Sequence, residues 1–252
     1  MRSRFWCSAL VALVLAGCGS SSESAEPYSY ATDAPLRARV GEPLNRGGQG
    51  VRIYDFSFRG ANGAPVEAFL LRPEVSGRRP AAVFLHGSGG TRADMLVPAA
   101  LLAKRGAVTM TISMPGESPT YRPLVVDARR ALDALASLPY VDRERLGVVG
   151  YSLGAQTAAI VAGVDRRPKA VAMLAGRGTE RARQLIARSQ AKLLFVGASN
   201  DERVPEREVV ALARAAPGEH EVRWFPSTHQ LTVPAFDAAV AWEAGQLGLR
   251  PS

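Results

Sequence analysis

The sequence predicts an α/β fold: a mostly parallel, doubly wound sheet whose first strands run antiparallel, with no inserted lid domain. Three observations carry this. From residue 51 onward, short apolar runs ended by Gly, Ser or Pro alternate with longer helix-like stretches. Continuous apolar runs suit strands buried on both faces, and their alternation with helices suits parallel crossovers. The first two strand-like runs are joined through Gly60-Ala61-Asn62-Gly63, a turn cluster of the kind that links antiparallel neighbours. The third is Gly150-Tyr151-Ser152-Leu153-Gly154, placed where a strand-like run gives way to a helix-like one.

In order, strands are expected at residues 51–58, 66–71, 81–85, 107–112, 146–149, 170–174, 193–196 and 222–225. Helices are expected between them at 95–105, 124–137, 153–164, 179–189, 206–215 and 235–247. Residues 28–50 are ambiguous, with Gly47, Gly48 and Gly50 suggesting loop. The connection from Leu174 to Leu193 has room for one helix at most, so nothing should cap the carboxyl ends of the strands. With 252 residues, 47% hydrophobic and 21% charged, one well-packed domain over residues 28–252 is the expectation.

The beginning of the chain reads differently. Arg2 and Arg4 precede an apolar run, residues 5–17, too short to span a bilayer comfortably and laid out as an export signal. It ends in Leu15-Ala16-Gly17-Cys18, which resembles the bacterial lipoprotein signal, in which the cysteine is acylated and becomes the new N-terminus. That resemblance implies removal of residues 1–17, a lipid anchor at Cys18 and a place in the cell envelope, outside the cytoplasm. The serine-rich residues 18–27 then read as a flexible tether. Residues 1–17 hold two arginines and no acid, so the formal charge of +8 falls to +6 on their removal. The arginines are scattered, without dense runs or interleaved aromatics, which argues against a nucleic-acid partner. Cys7 lies in the segment expected to be removed and Cys18 is used for the lipid, so the mature domain is expected to have neither a disulfide nor a thiol nucleophile.

The Gly-x-Ser-x-Gly pattern in a strand-to-helix context is that of a nucleophile elbow. A sharp turn crowds the positions two before and two after the serine, so only small residues fit there. By these residues the chain resembles the α/β-hydrolase superfamily, and within it the dienelactone hydrolase and acyl-thioesterase-like branch. The resemblance also rests on His86-Gly87-Ser88-Gly89-Gly90, on the segment from Asp142 to Gly154, on Asp201-Glu202-Arg203-Val204-Pro205 and on His229. One departure matters: dienelactone hydrolases proper use a cysteine nucleophile, and this chain has Ser152.

A serine hydroxyl needs an adjacent base oriented by a carboxylate. Catalytic groups of open parallel sheets gather at the carboxyl ends of strands. His229 follows the strand 222–225 and lies at that edge, whereas His220 precedes it and reads as a solvated loop residue. His86 also follows a strand, but its Gly-rich continuation resembles the oxyanion loop, so His229 is the base and His86 the rival. Asp201, at the carboxyl end of the strand 193–196, is the acid, with Glu202 as rival. Asp127, Asp133 and Asp142 lie upstream of Ser152 and read as surface, capping or turn residues. The family pattern places the oxyanion donors at the backbone amides of Leu153 and Ser88, with Gly87 and Gly89 as alternatives. Glu117 either lines the pocket or faces solvent.

The function implied is hydrolysis of a carboxylic ester or thioester, small or polymeric, through a Ser-His-Asp triad and an acyl-enzyme. Neither a cofactor nor a metal is expected, because too few histidines and cysteines remain to form a ligand cluster. Acyl transfer by the same triad, and a catalytically silent binding lipoprotein, are the alternatives. The sequence assigns no oligomeric state.

Overall fold

A computed structural model describes residues 26–45 and 50–249. The export-signal reading, Cys18 and most of the tether lie outside these residues. The last two tether residues fall within a 3-10 turn, Glu26–Tyr28, so regular structure reaches into the segment that composition reads as a tether.

Nine strands form one sheet: β1 (Arg39–Pro43), β2 (Val51–Arg59), β3 (Pro65–Pro73), β4 (Arg79–Leu85), β5 (Val108–Ile112), β6 (Val141–Tyr151), β7 (Pro168–Leu174), β8 (Lys192–Ala198) and β9 (His220–Phe225). Their spatial order is β1-β2-β3-β5-β4-β6-β7-β8-β9. The pairs β1·β2, β2·β3 and β3·β5 are antiparallel, and every later pair is parallel. The helices are α1 (Leu96–Lys104), α2 (Arg122–Ser137), α3 (Leu153–Val164), α4 (Glu180–Ile186), α5 (Glu206–Ala215) and α6 (Val233–Gln246). Among the described residues no helix is long and apolar enough to cross a membrane.

The strand period of two sorts side chains into two cores. Ala81, Val83 and Leu85 of β4, with Val171 and Met173 of β7, face a core shared with α2, α3, α4 and α5. Ala82 and Phe84, with Ala170, Ala172 and Leu174, face the opposite core, closed by α1 and α6. Burial on both faces explains why these strands read as unbroken apolar runs. The strand β1 was hidden in the ambiguous stretch because all five of its residues are exposed; an edge strand with no buried face leaves no alternation to read. Asp142 lies inside β6 rather than in a turn before it, at a register shift against β4, where its carboxylate accepts from the Glu144 amide and pairs with Arg145.

Two further sequence readings are corrected. His220 is not a loop residue: it begins β9 and packs edge-on against Phe195, with ring centroids 5.5 Å apart. Asp127 is not a surface group, and Asp133 is half-buried. Asp127 is buried beneath the β2–β3 turn, accepting from the Ala61 amide at 2.6 Å, and Asp133 accepts from Tyr30 and Arg167. Their polar identity concealed what hydrogen bonding across the fold makes tolerable.

Glu243 of α6 is fully buried and neither carboxyl oxygen has a hydrogen-bond partner. Its carboxyl fills the space a side chain at Gly147 of β6 would need. Burial raises its pKa well above the ordinary carboxylate value, so the folded protein holds a proton that the unfolded chain releases. Such a group favours the fold below the unfolded pKa and loses that contribution as pH rises. Glu243→Met is therefore expected to stabilise the protein by about 1–3 kcal/mol at pH 8, with a smaller gain at pH 5. Urea unfolding at the two pH values tests this. A gain that shrinks as pH rises would contradict it.

Candidate active site

The sharp turn between β6 and α3 forces Ser152 to φ 53° and ψ −112°, a conformation a serine adopts only when its surroundings compel it. A Cβ at Gly150 would lie 2.2 Å from the Gly154 carbonyl oxygen, and one at Gly154 would lie 2.2 Å from that of Leu85. Both positions thus require glycine, for close approach rather than for unusual dihedrals. The elbow is held from below by the Ser152 amide, which donates to the Leu174 carbonyl of β7 at 2.8 Å.

Ser152, Asp201 and His229 meet at the carboxyl edge of the sheet. The Ser152 Oγ lies 2.9 Å from His229 Nε2, and His229 Nδ1 lies 2.8 Å from Asp201 Oδ2. The second carboxylate oxygen, Oδ1, accepts from the amides of Arg203 at 2.9 Å and Val204 at 2.8 Å. The loop after β8 therefore fixes which oxygen faces the imidazole. The Asp201 side chain is 1% exposed and that of His229 12% exposed, so water does not compete for their contact. With Nδ1–H directed at a carboxylate, the lone pair on Nε2 is left for the serine proton.

His86 is not brought to the serine. Its Nδ1 donates to the Gly87 carbonyl at 2.6 Å, and its Nε2 accepts from the Met114 amide at 2.9 Å. Both ring nitrogens are spent holding the loop after β4 against the loop after β5. Glu202 is exposed on the cleft wall. The amides of Ser88 and Leu153 donate no hydrogen bond among the described residues. Leu153 begins α3, whose dipole adds positive potential beside Ser152. A Cβ on Gly87 would come within 3.3 Å of Ser152 Cβ, which shows how closely the loop approaches the nucleophile position.

Two contributors, Tyr151 and Gln156, were not singled out by the sequence, and a third, Glu117, was left between pocket and solvent. Tyr151, the variable residue of the elbow motif, donates from its hydroxyl to the His229 carbonyl at 2.8 Å and stacks obliquely on the His229 ring. Burial raises its pKa, with the Asp201 charge second, so it stays a phenol able to donate. Gln156 lies one helical turn after Ser152, a spacing that does signal a shared face, and accepts from Tyr121 at 2.6 Å. Glu117 accepts from the Ser88 hydroxyl at 2.6 Å, so it lines the cleft and braces the loop that presents the Ser88 amide.

The cleft over these groups measures about 1070 Å³. Its walls are about equally polar and apolar, with Glu117, Gln156, Arg177, Asn200, Glu202 and Arg203 among the polar side chains that line it. Arg177 donates to the Arg203 carbonyl at 2.7 Å, and neither arginine is ion-paired among the described residues.

A model of the dienelactone hydrolase family matches residues 109–241. Among curated proteins, the esterase FrsA of Escherichia coli O157:H7 is 33% identical over 132 residues, 49% of this chain and 31% of that protein. FrsA of Salmonella newport is 31% identical over 130 residues, again 31% of its length, so the match spans under a third of either relative. Among solved structures, acetyl xylan esterase 1 from Thermoanaerobacterium sp. JW/SL YS485 superposes with a TM-score of 0.75 at 16% identity, over 88% of this chain and 92% of that one. Acetyl xylan esterase from Paenibacillus sp. R4 superposes with a TM-score of 0.72 at 20% identity, over 84% and 89%. At such identities the likeness bears on the fold, that of the α/β-hydrolases.

Proposed function

As the chain belongs to the dienelactone hydrolase family, we propose that it is a serine-dependent carboxylic ester hydrolase, exported and anchored to a membrane through an acylated Cys18. The observation that carries the activity is the unbroken contact from the Ser152 hydroxyl through His229 to Asp201. The anchor is supported by the Leu15-Ala16-Gly17-Cys18 motif after a short apolar run.

In this mechanism the Ser152 oxygen attacks the ester carbonyl while His229 Nε2 takes its proton. Negative charge that moves to the carbonyl oxygen is received by the Leu153 and Ser88 amides, which already point free of other partners. As the tetrahedral intermediate collapses, the C–O bond to the alcohol breaks and His229 returns the proton to the leaving oxygen. Water then attacks the acyl-serine with the same proton relay, releasing the acid and restoring the hydroxyl. Asp201 holds the imidazole and balances its transient charge.

The polar side chains placed along the walls, Gln156, Thr179 and Asn200 among them, favour a substrate with a short acyl group and a hydrogen-bonding alcohol over a long hydrocarbon chain that would lie against them. A series of p-nitrophenyl esters is expected to show kcat/KM falling at least tenfold from acetate to decanoate, with stoichiometric labelling of the protein by a fluorophosphonate. Equal or rising values along the series would refute the short-acyl preference. Failure to label, with a reactive control enzyme labelling normally, would refute the hydrolase reading itself.

A further inference from the structure

Tyr121 lines the catalytic cleft, and the next residue, Arg122, lines a second cavity of about 560 Å³. Its walls are the segment from Tyr30 to Pro35, the β2–β3 turn and the first half of α2. Four arginines face it, Arg37, Arg59, Arg122 and Arg130, and no acidic residue does. Elsewhere in the protein arginines near this helix are neutralised: Arg129 pairs with Asp165, and Arg167 with both Asp133 and Asp165. The four cavity arginines have no ion pair among the described residues. Their guanidinium groups donate only to carbonyl oxygens, Arg59 to Gly63, Arg122 to Ser29 at 3.0 Å, and Arg130 to Arg59, Ala34 and Pro35.

Arg130 is 4% exposed. Carbonyls orient its charge, the Tyr30 ring lies 5.8 Å from it, and the Asp127 carboxylate one turn earlier on α2 attracts it. Asp127 itself is outside the cavity lining and has one oxygen committed to the Ala61 amide. Asp133 is occupied by Tyr30 and Arg167. Asp127 thus offsets Arg130 from outside, whereas Arg37, Arg59 and Arg122 bring planar, always-charged forks to a space whose lining holds no acidic residue. Forks of this kind match the paired oxygens of a phosphate group.

We propose that this cavity is a binding site for a phosphate-bearing anion, separate from the catalytic cleft. A soluble phosphate or phosphate monoester and the headgroup of an anionic phospholipid share the chemistry. The lipid source rests on the proposed anchor: Tyr30 stands 12 residues after Cys18, and a chain of that length reaches at most about 40 Å, so headgroups of the anchoring membrane lie within range of the cavity.

The test uses the full lipidated protein in neutral detergent, titrated calorimetrically with inorganic phosphate at constant ionic strength, with acetate as the control anion. Saturable binding of phosphate and none of acetate is expected. Arg37→Gln with Arg122→Gln, both outside the sheet and the catalytic machinery, should weaken phosphate binding at least tenfold while circular dichroism and ester turnover stay unchanged. Arg177→Gln, in the catalytic cleft, should leave phosphate affinity unaltered. Competition by phosphatidylglycerol-doped micelles, absent with phosphatidylcholine, would support the site with a lipid source; phosphate binding without such competition would support it with a soluble one. Absence of saturable phosphate binding, equal affinity in the double variant, or loss of affinity in Arg177→Gln would overturn the proposal. None of these outcomes depends on whether the protein hydrolyses esters.

Discussion

Ser152→Ala is expected to reduce kcat/KM toward a short-chain ester by at least about a thousandfold, or roughly 4 kcal/mol of transition-state stabilisation. The substitution deletes the single oxygen within reach of His229 Nε2 and leaves the rest of the site standing. The Leu153 and Ser88 amides and the polar side chains of the cleft remain, so a residual acceleration over water should persist. The unusual backbone at position 152 is demanded by the elbow and not by the hydroxyl, so thermal stability should change little. That separates lost chemistry from lost fold. Steady-state kinetics on the purified variant, with a melting curve beside them, give the answer; turnover above about a tenth of the wild-type value would remove Ser152 from the role proposed for it.

Asp201→Asn should cost about as much, by a route peculiar to this loop. The Oδ1 atom is pinned by two backbone donors, Arg203 and Val204. An asparagine would keep its carbonyl oxygen there, since an NH₂ group cannot accept from those amides. Its NH₂ would then face His229 Nδ1 and donate to it, driving the ring proton to Nε2. The imidazole would present a proton to Ser152 where it needs a lone pair. A loss of about 10³ to 10⁴ in kcat is expected with KM nearly unchanged. Asp201→Ala, which imposes no tautomer, should be no worse than the asparagine variant despite being the larger deletion. Asparagine activity within tenfold of wild type would exclude Asp201 as the orienting group.

The catalytic constellation was legible because each of its members follows a strand that the sequence marks. Buried apolar runs fix β6 and β8 in the sequence, the half-buried β9 is marked only by Val222, Trp224 and Phe225, and position relative to these strands selects His229 over His220 and Asp201 over the acids upstream. What escaped notice depends on contacts between segments distant in sequence. Tyr151 shows nothing in its own neighbourhood of a bond to a carbonyl 78 residues away. Asp127 looks like a solvated helix residue until the β2–β3 turn closes over it and burial lifts its pKa to about 6. Glu243 reads as the polar side of a helix, although α6 turns it into the apolar core. An exposed edge strand such as β1 has no hydrophobic pattern at all. Local composition records which face of an element is buried; it does not record what arrives from elsewhere to cover a polar group.

The chemical groups are also arranged in a way that bears on how the chain reaches its native state. Serine and imidazole are separated by 77 residues, and the carboxylate precedes the imidazole by 28. They meet across the parallel strands β6, β8 and β9, with β7 between β6 and β8, so their contact depends on pairings between segments far apart in the chain. Non-local parallel pairings of this kind are slow to nucleate. The contact of Ser152 with His229 is therefore expected to return late in refolding, behind the recovery of helical content.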